Sequence, residues 1–169
     1  MKTSDLDYDL PEDLIAQTPI EPRDAARLLV LDRATGALVH RHFADLGETL
    51  QRGDVLVFND TRVLHARLSA VKIPTGGRVE VLLLRSLDAT TWEALVGGSG
   101  VRRGARLRIT PLDRRASIEV TADVIGDLER GGRVLRFDRP IEPLLDRLGR
   151  PPLPPYIHEP LRDPERYQT

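Results

Sequence analysis

The sequence of 169 residues contains no cysteine. This absence excludes disulfide frameworks and thiolate metal sites, and it fits a reducing cytoplasm. No apolar run approaches the length that crosses a membrane, and the acidic N-terminus lacks the apolar segment of a secretion signal. We therefore expect an untargeted, cytoplasmic protein with no membrane partner.

Lysine is nearly absent, because Lys2 and Lys72 are the only two in the chain. Almost all positive charge is therefore carried by arginine, whose planar side chain pairs with phosphates and stacks on bases. The formal net charge of -1 argues against a strongly electropositive nucleic-acid binder. Arginine enrichment alone does not specify an RNA site.

Short apolar and β-branched runs recur along the chain and are separated by glycine-rich turns. Such runs predict strands. Between residues 66 and 137 they follow one another without a long helix, which is typical of a small antiparallel barrel or sandwich. The predicted strands are residues 27–32, 54–59, 78–86, 91–97, 105–110, 117–126 and 133–137.

Helical signals lie outside this block, at residues 10–16, 45–50 and 143–148. The order predicts a mixed α+β protein in which a small antiparallel β-barrel domain is inserted into an incomplete α/β domain. The main domain takes residues 1–64, the barrel takes 65–140, and residues 141–169 return to the main domain. The chain stops without a closing element, so we expect an N-terminal fragment.

The stretch NDTR, from Asn59 to Arg62, offers an amide, a carboxylate, a hydroxyl and a guanidinium at the end of an apolar run. One interpretation is structural, since Asn59 and Asp60 shape the strand exit while Arg62 pairs with Asp60. The other is a polar cluster at the mouth of a sheet, where open sheets bind ligands. Spacing alone does not choose between them.

The second cluster is GRPPLPPYIHEP, residues 149–160, whose four prolines hold the backbone extended. One interpretation is a stiff linker or a ligand for a proline-recognising domain. The other is that the segment presents Tyr156 and His158 on one face. In that case the two rings stack on a base or move protons.

A metal site is not expected. On a strand, the spacing of His40 and His42 would point both imidazoles to one side, but no third ligand is recognisable nearby. The glycine-rich residues 97–104 lack the lysine and following helix of a P-loop, so they predict a hairpin whose arginines still reach RNA.

Taken together, the segments resemble one family, the S-adenosylmethionine:tRNA ribosyltransferase-isomerases of queuosine biosynthesis. The resemblance spans essentially the whole chain and keeps the family's order. The matching segments are DYDLPEDLIAQTP, RDAARLLVLDR, GDVLVFNDTRVLHARL, TGGRVEVLLL, WEALV, PLPPYI and ERYQT.

The resemblance implies transfer and isomerisation of the ribosyl moiety of S-adenosylmethionine onto 7-aminomethyl-7-deazaguanine at the tRNA wobble position. S-adenosylmethionine is consumed as a co-substrate, tRNA is the partner, and no metal takes part. Family members are about twice this length, so the resemblance implies that these residues alone are inactive. It also implies that NDTR marks the exit to the barrel and PLPPYI the return, and we expect a monomer.

On this resemblance the catalytic candidates are Asp60, Arg62 and Tyr156. The predicted substrate-binding residues are Asn59, Thr61, Arg67, Tyr167 and Gln168, with Arg67 as a phosphate contact. Many relatives carry a basic residue after PLPPYI, whereas this chain has His158 and Glu159. The identity of the general base stays open, because geometry and a tuned pKa define it.

Two other functions remain compatible with the residues. One is a non-catalytic RNA-binding β-barrel module, which predicts salt-dependent RNA binding without S-adenosylmethionine. The other is a barrel that binds a small molecule and has no RNA partner.

Overall fold

The computed structural model describes residues 1–113 and 115–168, which form two compact units. The first unit consists of residues 1–61 and 154–167, and the second consists of residues 62–153 together with Gln168. The chain therefore passes between units within NDTR and again within PLPPYI. The boundaries predicted at 64/65 and 140/141 stay a prediction.

The second unit is an antiparallel β-barrel, as the sequence predicts, and its six strands form a closed circle. Five of these strands lie where they were predicted, whereas the strand at Arg67–Ile73 was not predicted. The strands are β3 (Arg67–Ile73), β4 (Arg78–Ser86), β5 (Thr91–Val96), β6 (Arg106–Thr110), β7 (Val120–Asp127) and β8 (Gly132–Phe137). Each strand pairs with its neighbours in the order β4-β5-β8-β7-β6-β3, and pairing of β3 with β4 closes the circle. Closure removes the exposed sheet edges that an open antiparallel sheet would present.

Alternation along these strands creates the core. Every second residue points inward, because side chains of a strand alternate between its two faces. The buried hydrophobic residues from the strands are Leu68, Ala70, Val79, Val81, Leu83, Trp92, Ala94, Leu107, Ile109, Val120, Ala122, Val124, Leu135 and Phe137. Bulges interrupt the register at Leu83/Arg85 and at Val124/Gly126, where the strands bend.

A short helical segment after β8 packs on the barrel core. It comprises a 3₁₀ turn at Glu142–Leu144 and the helix α1 (Leu145–Leu148), and it buries Ile141, Leu145 and Leu148. Strand β9 (Gly149–Arg150) follows at once and pairs with β3. These turns match the helical signal predicted at 143–148, whereas β9 was not predicted.

The turn between β4 and β5 is held by Asp88. Its Oδ1 accepts hydrogen bonds from the backbone N–H of Thr90 and of Thr91, both at 2.8 Å, and from the Thr90 hydroxyl at 3.1 Å. The pKa of the Asp88 carboxyl lies below its ordinary value, first because of the Thr90 backbone donor and then because of the Thr91 side chain.

This lowered pKa predicts an acid-sensitive turn. Because the folded-state pKa is below the unfolded one, the carboxylate stabilises the turn at pH values above about 4, and the contribution is lost as pH falls through the folded-state value. An NMR titration of the Asp88 carboxyl carbon should show the shifted midpoint. In Asp88→Asn this part of the acid dependence should vanish, whereas Glu129→Gln, in the exposed turn before β8, should retain it.

The first unit contains one small antiparallel sheet of β1 (Arg27–Leu31) and β2 (Leu38–His42). Asp32 closes their turn by accepting hydrogen bonds from the backbone N–H of Ala34 and Thr35. Strand β2 was not predicted. The other regular elements of the first unit are 3₁₀ turns at Thr3–Leu6, Glu12–Leu14, Arg23–Ala25, Phe43–Thr49 and Pro164–Tyr167. Besides the turn at Glu142–Leu144, the barrel unit carries a 3₁₀ turn at Glu129–Gly131.

The predicted strand at residues 54–59 is wrong. These residues have no regular secondary structure, and Val55, Val57 and Phe58 are 83%, 90% and 72% exposed. An apolar alternating run forms a strand only when neighbouring backbone groups pair with its own. No described residue pairs with the backbone of 55–60. The helix signal at 10–16 likewise yields only the three-residue turn Glu12–Leu14.

Within the described ranges, none of the helices has the length and apolar character needed to traverse a bilayer.

Candidate functional site

NDTR forms a local turn around Asn59. The Asn59 Oδ1 accepts hydrogen bonds from the Thr61 backbone N–H at 2.9 Å and from the Thr61 hydroxyl at 2.7 Å. An asparagine that bonds two residues ahead is the usual way to fix such a bend without neighbouring strands. The side chains of Asp60 and Arg62 are both exposed. Asp60 therefore lies within a fixed turn, and Arg62 follows it.

Gln17 connects the return segment to the N-terminal residues within the first unit. Its Nε2 donates to the Tyr156 carbonyl at 3.0 Å, and its Oε1 accepts from the His158 backbone N–H at 2.8 Å. One amide thus satisfies two backbone groups of the return segment. This segment does not stay extended as predicted, because it turns at residues 155–156, where the Ile157 N–H donates to the Pro154 carbonyl at 3.0 Å. The Tyr156 ring is left 53% exposed and available to a ligand.

Arg166 makes the second connection within this unit. Its Nη2 donates to the Ile20 carbonyl at 3.0 Å, and its Nη1 lies 2.5 Å from the Glu21 carboxylate. The 3₁₀ turn Pro164–Tyr167 is thereby held beside residues 20–21, with Tyr167 half-buried at its end. Two of the segments on which the family resemblance rests, PLPPYI and ERYQT, therefore meet residues 17–21.

Gln168 belongs to the barrel unit, where it is bound to Val63. Its Oε1 accepts from the Val63 N–H at 2.7 Å, and its Nε2 donates to the Val63 carbonyl at 2.9 Å. This two-point amide pairing imitates a strand ladder. It places Gln168 next to Arg62, the residue before Val63 in the same unit. The side-chain amide is used for this pairing, so Gln168 positions the NDTR exit.

Arg67 is engaged inside the barrel unit. Its Nη1 lies 2.6 Å from the Glu80 carboxylate on β4, and its Nη2 donates to the Leu153 carbonyl at 3.2 Å. The guanidinium therefore joins β3, β4 and the start of the return segment. The phosphate contact proposed for Arg67 stays a prediction, and a phosphate would have to compete with Glu80.

Sequence reasoning missed Gln17 and Arg166, the two side chains that hold the return segments. Both lie in motifs that the resemblance includes, but neither has a local pattern that marks a partner about 140 positions away.

The candidate metal pair His40 and His42 lies on exposed β2, and the described residues contain no group of three possible metal ligands.

Comparison with known proteins gives one family. The model of the queuosine biosynthesis protein family matches residues 3–169. The S-adenosylmethionine:tRNA ribosyltransferase-isomerase of Symbiobacterium thermophilum is 52% identical over the whole chain, and those of Dehalococcoides mccartyi and Staphylococcus aureus are 46% and 44% identical. The chain spans 49%, 48% and 49% of their respective lengths, about half of each relative.

One solved structure is also similar. The S-adenosylmethionine tRNA ribosyltransferase of Thermotoga maritima is 40% identical, with 82% of this chain and 46% of that chain covered and a TM-score of 0.38. Family membership therefore depends on sequence: the family model covers almost every residue, and the relatives are 44% to 52% identical along the full chain. The chain belongs to the queuosine biosynthesis protein family.

Proposed function

We propose that this chain supplies part of an S-adenosylmethionine:tRNA ribosyltransferase-isomerase. The enzyme would transfer the ribosyl moiety of S-adenosylmethionine to 7-aminomethyl-7-deazaguanine at the tRNA wobble position. Isomerisation of the transferred ribosyl moiety would give epoxyqueuosine in the tRNA. The observation that carries the proposal is 44% to 52% identity, along the entire chain, to enzymes of that name. The partners are S-adenosylmethionine, consumed as co-substrate, and tRNA.

The proposed reaction sets the demands on the site. A base removes a proton from the carbon beside the sulfonium, and the resulting ylide-like species rearranges with loss of adenine. The substrate amine then bonds to a sugar carbon and loses a proton, and a sugar oxygen closes the epoxide by displacing methionine from the carbon whose bond to sulfur breaks. The site must therefore hold a cationic substrate, move a proton and exclude water.

The residue roles follow from exposure and fixed geometry. Asp60, Arg62 and Tyr156 are assigned to the reacting groups, because each is exposed on a backbone that hydrogen bonds hold in place. A carboxylate suits the sulfonium charge and proton transfer, and a guanidinium suits ribose oxygens or phosphate. The substrate-binding assignments are Asn59, Thr61, Arg67, Tyr167 and Gln168.

In Asn59, Thr61 and Gln168 the side-chain polar atoms are used by the fold. These residues therefore act by positioning their neighbours. We further propose that the protein works in the cytoplasm, as a monomer and without a metal, since its proposed substrates are cytoplasmic tRNA and S-adenosylmethionine.

The proposal is tested with Asp60→Asn and Arg62→Ala in a protein that extends this chain to the length of its relatives. We expect kcat to fall about a hundredfold or more for each, the usual effect of removing a proton-transfer group or a charge-stabilising donor. Adenine release and mass spectrometry of nucleosides from digested tRNA measure turnover. Glu129→Gln and Arg33→Ala, both exposed and away from NDTR in sequence, serve as charge-matched controls.

Two outcomes would contradict the proposal at different levels. Wild-type turnover in both variants would remove NDTR from the site while leaving the activity in place. Absence of both adenine release and epoxyqueuosine from the extended wild-type protein would reject the function itself.

A further inference from the structure

The arginines on the barrel exterior divide into two classes. Five of them are neutralised by an acidic neighbour in the same unit. The ion pairs are Arg67–Glu80, Arg85–Glu93, Arg106–Asp123, Arg133–Asp127 and Arg139–Asp138. Arg78, Arg108 and Arg150 are exposed and have no ion-pair partner among the residues that the structure describes.

These three arginines surround strand β3. Val71 of β3 faces Arg78 on β4 and Arg108 on β6, so the two guanidinium groups flank one outward-facing residue. Neighbouring strands are about 4.8 Å apart, which places the two backbone positions about 10 Å apart. Arg150 on β9 pairs with Arg67 at the other end of β3. We call Arg78, Arg108, Arg150 and the β3 surface between them the β3 face.

Two adjoining depressions make this face concave. One, of about 440 Å³, is lined by both Arg78 and Arg150, and the other, of about 460 Å³, is lined by Arg108. They share Val71, Thr110 and Pro111 in their walls. The surface thus combines cations, the hydroxyl groups of Ser69, Thr110 and Ser117, and an apolar floor.

The nearby acids do not cancel this charge. Glu80 is paired with Arg67, and Asp138 is bonded to Arg139 and Thr121. Glu119 lines the edge of the second depression and is the one acidic residue in the lining of either. Three unpaired guanidinium groups therefore face solvent beside a single acid. Each can bind a phosphate through two parallel N–H donors.

We infer that the β3 face binds the phosphate backbone of the tRNA. This inference rests on the proposed function for its partner, and it deepens that function by giving the RNA a place on the barrel. Hydroxyl donors and an apolar floor suit sugar and phosphate groups, whereas sequence readout would need base-edge contacts or stacking aromatics. None of the residues lining the two depressions is aromatic. The face therefore contributes affinity and orientation without sequence specificity.

The barrel offers a matched control for the test. Arg136 on β8 is also exposed, points outward and has no ion-pair partner in the described part of the chain. In the closed order of strands β8 is three positions from β3 in either direction, so it lies on the opposite side of the barrel. Arg136→Gln removes one exposed guanidinium group from the same unit while leaving the β3 face unchanged.

The experiment compares tRNA binding by the 169-residue chain, its Arg78→Gln/Arg108→Gln/Arg150→Gln variant and Arg136→Gln, without S-adenosylmethionine. Fluorescence anisotropy with a labelled tRNA transcript is measured across a salt series. We expect the triple variant to bind about tenfold or more weakly. The slope of log K against log salt should fall by about two to three, since each phosphate contact contributes about 0.9. Arg136→Gln should leave both quantities near wild type.

Several results would overturn the inference. They are failure of the wild-type chain to bind tRNA, an unchanged triple variant, or an equal loss in Arg136→Gln. Polyglutamate stands in for an acidic protein. If the triple variant lost binding to polyglutamate but retained tRNA binding, the β3 face would be assigned to an acidic protein partner. Circular dichroism and thermal unfolding exclude a folding defect.

In the extended enzyme the triple variant should raise KM for tRNA and leave kcat unchanged. If tRNA binding falls but the extended wild type makes no epoxyqueuosine, the face stands and the proposed function fails.

Discussion

Gly149→Ala should destabilise the barrel unit by more than about 3 kcal/mol, because no room exists for a methyl group at this position. A Cβ built on Gly149 overlaps the His65 carbonyl oxygen and lies 2.9 Å from its carbon and 3.0 Å from Leu68 Cδ2. The first two are backbone atoms, which cannot move aside as the end of a flexible side chain can. Relief requires separation of β9 from β3, whose pairing sets Gly149 opposite Leu68.

Urea unfolding followed by the fluorescence of Trp92 measures this loss. Trp92 is the single tryptophan and is 5% exposed in the barrel core, so its emission reports on this unit. Gly97→Ala is the control in the same unit, since a Cβ there meets nothing closer than 3.8 Å. We expect its effect to stay within about 0.5 kcal/mol. Equal stability of Gly149→Ala and wild type would show that β9 does not approach His65 as described.

Leu135→Ala should cost about 2 to 5 kcal/mol, because it empties the centre of the barrel core. Leu135 on β8 is fully buried and lies opposite Trp92 on β5 and Val124 on β7. In a closed barrel its neighbours are fixed by pairing on both sides, so they collapse little into the space that the shorter side chain leaves.

The matched variant is Leu95→Ala, on the outward face of β5, where the leucine is 41% exposed. We expect a loss below about 1 kcal/mol there, since less area leaves water on folding. Chemical denaturation at constant temperature gives both values, with the slope against denaturant checked for two-state behaviour. A similar loss at the two positions would contradict the inward assignment of Leu135.

Local patterns were sufficient for the barrel strands and insufficient for residues 54–59. In the barrel, alternation agreed with turn residues and with partners nearby in sequence, so most strands formed where predicted. At 54–59 the same apolar alternation was present, yet the described residues provide no partner strand. A strand prediction assumes a partner, and the sequence of one segment cannot show whether that partner exists.

The candidate site divides in the same way. Asn59 to Arg62 were recognised because unusual polar groups follow an apolar run, and the turn that Asn59 makes with Thr61 is local chemistry. The contacts of Gln17 with residues 156 and 158, and of Gln168 with Val63, join positions more than 100 residues apart. Such contacts carry no sequence signature, because their geometry depends on the path of the whole chain.

By itself the sequence determined the family, through its resemblance along the whole chain. It also determined the mixed class and most of the barrel strands, since periodicity and turn chemistry are properties of neighbouring residues. Only the tertiary structure decided that β3 pairs with β4 to close the barrel and that Gly149 lies against His65. It also decided which arginines meet an acid and which remain unpaired around β3. Charge pairing across strands depends on register, and register is a property of the closed sheet.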